Sequence, residues 1–250
     1  MPGQAAPVGA SLPSPRASGS IWRVQWRVLV PIKHGAPAKT RLRAATAEDA
    51  QHAELVRAIQ LDTLDAVLAL RAHPLVGGVF VVSGHVSGHV SGHVRGGVRG
   101  QPPMDLPAEV EILADAGGGL NPALEAAAAQ LARRFPDDGV VAMVGDLPAL
   151  RAADLLAVLR GAPVLGRGFV RDADGSGTTL LTAGPGSALA PLFGPDSARR
   201  HLASGACELD AAASLRCDVD SAADLRRCLD LGVGTLTSQL TARLGVSRPA

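Results

Sequence analysis

Residues Trp22–Pro31, with the sequence WRVQWRVLVP, decide the class of fold. The stretch alternates apolar and polar residues and then becomes continuously apolar, as a buried strand does. A second run of this kind, GVVAMV at Gly139–Val144, is apolar throughout. Strands with both faces buried are typical of parallel sheets that helices cover on each side. These two stretches therefore predict an α/β protein with a mainly parallel sheet.

Helical patterns and further apolar strands alternate along the rest of the chain. A long helix is predicted over 47–73, and Asn121 and Pro122 have the residue types of an N-cap and a first helical position for a helix that ends near Phe135. The remaining predicted helices cover 152–160, 196–204 and 221–231, and the remaining predicted strands cover 79–82, 109–113, 164–170, 178–182 and 215–219. In such a sheet ligands bind beyond the carboxyl ends of the strands.

Three segments lie outside this alternation. Residues 1–20 are rich in Pro, Ser, Gly and Ala and predict a disordered tail. The tetrapeptide SGHV occurs three times from Ser83 to Val94, within a low-complexity His/Gly loop insertion over 83–107. Because its Gly and Val residues disfavour a helix, a flexible loop is favoured over a metal site formed by His85, His89 and His93. The domain is predicted over 21–235, with a C-terminal tail over 236–250.

Composition argues against several kinds of partner. The formal net charge is +1, so no global field favours nucleic acid or an anionic membrane. Aromatic residues make up 2% of the chain, which argues against stacking platforms for single-stranded nucleic acid. No apolar run reaches the roughly 20 residues of a membrane span. The three cysteines form no C-x-x-C pair and the N-terminus lacks a secretory pattern, so we expect a cytoplasmic protein with reduced thiols.

The residues suited to chemistry are concentrated between Arg171 and Leu225. Three polar clusters lie there: DADGSGTT at 172–179, FGPDSARRH at 193–201 and DVD at 218–220. Turns with free N–H groups, hydroxyls, cationic side chains and paired carboxylates are what phosphates and divalent cations require. Asp146 ends a predicted strand and is a further candidate ligand for Mg²⁺. If Asp218 and Asp220 alternate on a strand they point to opposite faces, so only one of them can readily join Asp146.

Two other loops carry groups that suit a nucleotide. Lys33, Lys39 and Arg41 bring three cations into a turn that contains Gly and Pro, which suits a polyphosphate. The sequence GGGLN at 117–121 offers closely approachable backbone and an amide at a helix start, which could bind a nucleobase or a ribose. Solvated cations on a surface loop would also explain the first set of residues, and an ordinary helix start would explain the second. Neither loop alone is therefore specific evidence of nucleotide binding.

Taken in order, these motifs resemble the CofC/FbiD family of guanylyltransferases, which make the activated phospho-acid precursor of the deazaflavin coenzyme F(420). The resemblance covers about residues 25 to 235. Its motifs are VPIK at 30–33, AKTRL at 38–42, GGLN at 118–121, GDLPA at 145–149, DGSGTT at 174–179, FGPDS at 193–197 with His201, and DVD at 218–220 with Asp224 and Leu225. The insertion over 83–107 departs from the family, which carries acidic turn residues there.

The resemblance implies a three-layer α/β/α nucleotidyltransferase fold, Rossmann-like with a mainly parallel sheet. It implies that Asp146 and one or both of Asp218 and Asp220 hold Mg²⁺. Phosphoenolpyruvate would contact Thr178 or Thr179, Gly194 and Ser197. The nucleotide-binding residues would be Lys33, Lys39, Arg41, Gly118, Gly119 and Asn121, and the catalytic residues would be Asp146, Lys33, Lys39 and Arg41.

The implied activity is transfer of GMP from GTP to phosphoenolpyruvate, which yields enolpyruvyl diphosphoguanosine and pyrophosphate for coenzyme F(420) biosynthesis. The alternatives are 2-phospho-L-lactate as the acceptor, or a non-catalytic nucleotide-binding protein on the same scaffold, which the His-repeat insertion would favour. A molybdopterin or sugar-phosphate nucleotidyltransferase is disfavoured because the first loop lacks a Gly-x-x-x-Arg signature. GTP and phosphoenolpyruvate are the expected partners of a monomer or homodimer.

Overall fold

A seven-stranded sheet forms the centre of the protein. The computed structural model describes residues 24–32, 40–46, 48–83, 95–96, 104–106, 110–115 and 117–246. Its strands are β1 Trp26–Pro31, β2 Val76–Ser83, β3 Arg95–Gly96, β4 Met104–Asp105, β5 Glu111–Ala114, β6 Gly139–Met143, β7 Arg167–Arg171, β8 Thr178–Ala183 and β9 Cys207–Glu208. Its helices are α1 Asp49–Leu68, α2 Leu120–Arg134, α3 Ala152–Gly161, α4 Ser197–Ala203, α5 Ala213–Arg216, α6 Ala222–Leu231 and α7 Thr235–Arg243, with a 3-10 helix over Thr40–Ala45.

The strand order in the sheet is β5-β2-β1-β6-β8-β7-β9. Strand β1 lies third in this order and pairs in parallel with β2 on one side and β6 on the other. Among the described strands of this sheet, β8 alone runs against its neighbours, β6 and β7. The prediction of a mainly parallel sheet is therefore confirmed. Strands β3 and β4 form a separate antiparallel pair.

Burial on both faces of β1 produces the three layers. Val28, Leu29 and Val30 are each 0% exposed, although neighbouring strand residues point to opposite sides. Val28 and Val30 belong to a core that includes Leu64 of α1, while Leu29 belongs to a second core that includes Leu131 of α2. One continuously apolar strand thus serves two hydrophobic cores, and helices cover each face of the sheet.

Two local predictions are wrong. The predicted strand over 215–219 is instead the short helix α5 followed by irregular backbone. The apolar residue Leu215 is buried in this helical turn. The N–H of Cys217 donates to the carbonyl of Ala213 at 3.0 Å and closes the turn. Asn121 is not the N-cap of α2, because that position is Gly119 and no side chain caps the helix there.

The last described helix, α7, lies almost entirely in the stretch for which the sequence predicts a tail. The predicted domain boundaries remain predictions. The carboxylate of Asp62 in α1 accepts the N–H groups of Leu236 and Thr237 at 3.1 and 2.7 Å. Asp62 is buried, so this N-terminal cap joins α7 to the core through α1. No helix within the described residues is long and apolar enough to cross a membrane.

We expect Asp62→Ala to lower the free energy of unfolding by about 1–2 kcal/mol, because two N–H groups at the start of α7, one of them buried, lose their acceptor. Urea denaturation followed by circular dichroism measures this change. The control is Asp65→Ala, at an exposed position on the same helix. Equal midpoints for the two variants would contradict the role assigned to Asp62.

Candidate active site

Three carboxylates meet beyond the end of β6. Oxygen atoms of Asp146, Asp218 and Asp220 all lie within 4.8 Å of one another. Asp146 follows β6, whereas Asp218 and Asp220 lie in the irregular segment after α5. Asp146 and Asp218 are half-buried and Asp220 is exposed. The three predicted metal ligands therefore come together at one place.

The prediction that only one of Asp218 and Asp220 can readily join Asp146 is wrong. It assumed a strand, in which alternate side chains diverge, but the segment from Cys217 to Ser221 has no regular structure. The N–H of Val219 donates to the carbonyl of Asp146 at 3.1 Å, so the two segments run side by side. Val219 is itself buried, and the aspartates before and after it both reach the cluster.

The electrostatics of this cluster call for a cation. Burial raises the pKa of Asp218, and the like charges of Asp146 and Asp220 raise it further, to about 8. At an effective dielectric near 20, two unit charges 4 Å apart interact by about 4 kcal/mol. A bound divalent cation would replace this repulsion with attraction. A donor set made only of carboxylate oxygens fits a hard divalent cation, so the residues present suit one.

Helix α6 holds the segment that carries Asp218 and Asp220 in place. The carboxylate of Asp224 accepts the N–H groups of Asp220 and Ser221 at 3.2 and 2.8 Å, and Ser221 completes a capping box with it. Arg227 donates to Asp224 and, at 2.8 Å, to Asp174 in the turn before β8. The Ser-x-x-Asp spacing of the capping box is visible in the sequence. The Arg227–Asp174 bridge spans 53 residues and has no such signal.

The predicted acceptor residues lie around His201. Its Nδ1 is 2.9 Å from Oγ1 of Thr178, and its Nε2 accepts the N–H of Leu192 at 2.9 Å. Because Nε2 is an acceptor, the proton lies on Nδ1 and is donated to Thr178. Oγ1 of Thr179, by contrast, is buried and has no hydrogen-bond partner among the described residues. A polar atom left unpaired in this way favours Thr179 over Thr178 as a ligand contact.

The other two predicted acceptor residues, Gly194 and Ser197, lie just before α4 and at its first position. Ser197 is 1% exposed, and its N–H donates to the carbonyl of Gly194 at 3.1 Å. The next N–H, of Ala198, donates to the carbonyl of Ser176 at 3.1 Å, so α4 lies against the turn before β8. Residues 176–179 and 194–198 therefore form one connected unit.

The Gly-rich turn before α2 has a backbone that only glycine adopts readily. Gly117, Gly118 and Gly119 have φ angles of 83, 81 and 100°. The amide of Asn121 is occupied on both sides, because Nδ2 donates to the carbonyl of Phe193 at 3.0 Å and Oδ1 accepts the N–H of Phe193 at 2.8 Å. Asn121 thus links the Gly-rich turn to the loop that carries Gly194.

Part of the predicted site lies outside the described residues. This applies to Lys33, Lys39 and the side chain of Arg41, whose backbone belongs to the 3-10 helix. It applies also to His85, His89 and His93. Their predicted roles stay predictions.

Two solved structures share this architecture. One, described as a nucleotide-diphospho-sugar transferase from Desulfovibrio desulfuricans G20, has a TM-score of 0.61 and 15% identity, and the alignment covers 89% of this chain and 96% of that one. The other, Rv0371c from Mycobacterium tuberculosis H37Rv, has a TM-score of 0.51 and 24% identity, with 83% and 98% covered. Likeness at this level of identity shows the fold. Curated relatives, which are guanylyltransferases, show the class of protein, which is a nucleotidyltransferase.

Curated relatives identify the family within that class. A phosphoenolpyruvate guanylyltransferase from Streptomyces coelicolor is 44% identical over 223 residues, which is 88% of this chain and 98% of the relative. One from Streptomyces avermitilis is 45% identical over 229 residues, with 90% and 98% covered. The chain belongs to the phosphoenolpyruvate guanylyltransferase family, which confirms the resemblance drawn from its motifs. No protein-family model matches the chain.

We expect Asp218→Asn to weaken Mn²⁺ binding by about tenfold or more, because a charged oxygen ligand is replaced by a neutral amide. Isothermal titration calorimetry at pH 7.5 measures the affinity. Asp210→Asn, which removes an exposed carboxylate, is the control and should bind like the unmodified protein. An unchanged affinity for Asp218→Asn would exclude Asp218 as a ligand.

His201 should make the stability depend on pH. Burial, followed by the charges of Arg167 and Arg200, lowers its pKa to about 4, against about 6.5 in an unfolded chain. Between these values the unfolded state binds more protons, so His201 stabilises the fold above pH 6.5 and this contribution is lost as the pH falls towards 4.

We expect the unmodified protein to lose about 1–3 kcal/mol more of its free energy of unfolding between pH 7 and pH 4.5 than His201→Gln does. Urea denaturation at a series of pH values measures the difference and cancels the contribution of the carboxylates. Parallel curves for the two proteins would show that His201 titrates normally.

Proposed function

We propose that this protein transfers GMP from GTP to phosphoenolpyruvate and that the product, enolpyruvyl diphosphoguanosine, serves coenzyme F(420) biosynthesis in the cytoplasm. The observation that carries the proposal is the cluster of Asp146, Asp218 and Asp220 in a chain of this family. Two substrates that are both polyanions need a concentrated positive charge between them. A cluster of three carboxylates is the means by which a protein binds that charge as a metal ion.

In this proposal the cation is Mg²⁺, held by all three aspartates. When bound, it offsets the repulsion between the substrates and withdraws charge from the transferring phosphorus. The arrangement of the chain supports this assignment, because Asp146 arrives from the central sheet while Asp218 and Asp220 arrive from the segment before α6. Only oxygen ligands are offered, which suits Mg²⁺.

Phosphoenolpyruvate is assigned to Thr179, Gly194 and Ser197. Oγ1 of Thr179 is buried without a partner among the described residues, and a phosphate or carboxylate oxygen of the substrate would satisfy it. Thr178 is given a supporting role, since His201 already engages its hydroxyl. The carbonyl of Thr179 accepts the N–H of Val144 at 2.9 Å, so Thr179 lies beside the strand that leads to Asp146, which supports the proposal.

GTP is assigned to Lys33, Lys39, Arg41 and the Gly-rich turn before α2. Lys33, Lys39 and Arg41 would face the triphosphate, as the motif order implies. For the guanosine we propose contacts with the backbone of Gly118 and Gly119. Because the Asn121 amide is bonded on both sides to Phe193, we propose that Asn121 supports these contacts by holding the turn.

The reaction requires no general base. A phosphate oxygen of phosphoenolpyruvate attacks the α-phosphorus of GTP in line, the bond to the bridging β-phosphate oxygen breaks, and pyrophosphate leaves. The attacking phosphate is already an anion near pH 7. His201 is neutral and both of its ring nitrogens are engaged in hydrogen bonds within the protein, so neither nitrogen is assigned a proton transfer to or from the substrates. Catalysis then depends on positioning and on offsetting charge.

The test supplies the protein with GTP, Mg²⁺ and either phosphoenolpyruvate or 2-phospho-L-lactate, and follows pyrophosphate release and the mass of the product. We expect turnover with phosphoenolpyruvate, a loss of at least about a hundredfold in Asp146→Asn, and near-normal turnover in Asp210→Asn. Preference for 2-phospho-L-lactate would overturn the acceptor assignment. Binding of GTP without release of pyrophosphate would overturn the enzymatic proposal in favour of a binding protein.

A further inference from the structure

The backbone N–H that follows Asp146 is hydrogen-bonded to helix α1, which contains none of the motifs of the site. Oγ1 of Thr63 in α1 accepts the N–H of Leu147 at 2.9 Å. The same hydroxyl donates to the carbonyl of Ile59 at 2.8 Å, so its proton is committed within the helix. Thr63 and Leu147 are both 0% exposed, which excludes water as a substitute partner for the Leu147 N–H.

Other contacts fix the remaining backbone of the Asp146 turn. The carbonyl of Asp146 accepts the N–H of Val219 at 3.1 Å. A side chain at Gly145 would meet the carbonyl oxygen of Pro31 at 2.8 Å, so β1 presses directly on the turn. The peptide between Asp146 and Leu147 is therefore held from both ends: its carbonyl by Val219 and its N–H by Thr63.

We infer that Thr63 is a positioning residue for the carboxylate of Asp146, an inference that rests on the proposed metal-binding role of Asp146. A buried N–H that loses its partner costs free energy, and rotation of its peptide towards another acceptor relieves that cost. Rotation of this peptide also moves the Asp146 carbonyl off the N–H of Val219, and so loosens the hydrogen bond that joins Asp146 to the segment of Asp218 and Asp220. Metal ligands need to be held to within about 0.5 Å of their working geometry, so a small rotation is sufficient to weaken binding.

Thr241 provides a matched control for the loss of a buried hydroxyl. It is 2% exposed in α7, and its hydroxyl donates to the carbonyl of Thr237 at 2.8 Å. Its other hydrogen bond runs to the carbonyl of Ser238 in the same helix. Thr241→Val and Thr63→Val make the same chemical change at buried helical positions, but only Thr63 is bonded to the turn that carries Asp146.

The experiment measures Mn²⁺ affinity by calorimetry in the full chain, with unfolding midpoints recorded in parallel. We expect Thr63→Val to weaken binding by about five- to thirtyfold, a loss typical of a group that orients a metal ligand. Thr63→Ser keeps the hydroxyl and should bind within about twofold of the unmodified protein. Thr241→Val should lose stability but keep its Mn²⁺ affinity.

Two results would overturn the inference: Mn²⁺ affinity unchanged in Thr63→Val, or equal losses in Thr63→Val and Thr241→Val. If Thr63→Val does not fold, Thr63→Cys replaces it, because a thiol of similar size is a weak acceptor and should give a smaller loss in the same direction. An unmodified protein that binds no Mn²⁺ would overturn the proposed metal site and this inference together. Normal binding by the unmodified protein and by Thr63→Val would overturn this inference alone.

Discussion

The site depends on holding three carboxyl groups, which repel when they are ionised, against one another. Asp146, Asp218 and Asp220 repel, and their oxygens nevertheless lie within 4.8 Å because the backbone leaves them little freedom. The Val219–Asp146 hydrogen bond joins the two segments that supply these residues, and the capping box of α6 fixes the far end of the second segment. A cation held by this cluster, as proposed, would bind more tightly because its ligands are positioned in advance by the fold.

The proposed acceptor residues are held together by hydrogen bonds of neutral side chains rather than by the backbone contacts of a carboxylate cluster. His201 joins Thr178 to Leu192, and Asn121 joins α2 to Phe193. Each of these side chains uses both of its polar ends, so the loop that carries Gly194 is held from two directions. The neutral state of His201 follows from burial and from the charges of Arg167 and Arg200, two cations that lie near its ring. Positive charge around an acceptor site suits an anionic substrate.

Sequence patterns predicted the sheet well because its central strands have no alternative. A run such as Val28–Val30 is apolar on both faces and is typical of a strand in a parallel sheet that helices cover on each side, and the two cores on either side of β1 have this origin. The prediction of a strand over 215–219 failed for the opposite reason. Its few apolar residues fit a strand and a helical turn equally well, and the packing of Leu215 decided between them. Asn121 failed as a cap because a tertiary partner, Phe193, competes for its amide.

The sequence by itself determined the α/β class, the order of the motifs and the identity of the three aspartates, since these follow from local periodicity and from residue types suited to metal and phosphate. Tertiary structure alone decided that Asp218 and Asp220 both reach Asp146 and that Thr63 is hydrogen-bonded to the turn after Asp146. It also decided that the Thr178 hydroxyl is hydrogen-bonded to His201, whereas the Thr179 hydroxyl has no partner among the described residues. Each of these depends on hydrogen bonds between residues far apart in the chain, 84 positions for Thr63 and Leu147, and local pattern carries no information about such pairs.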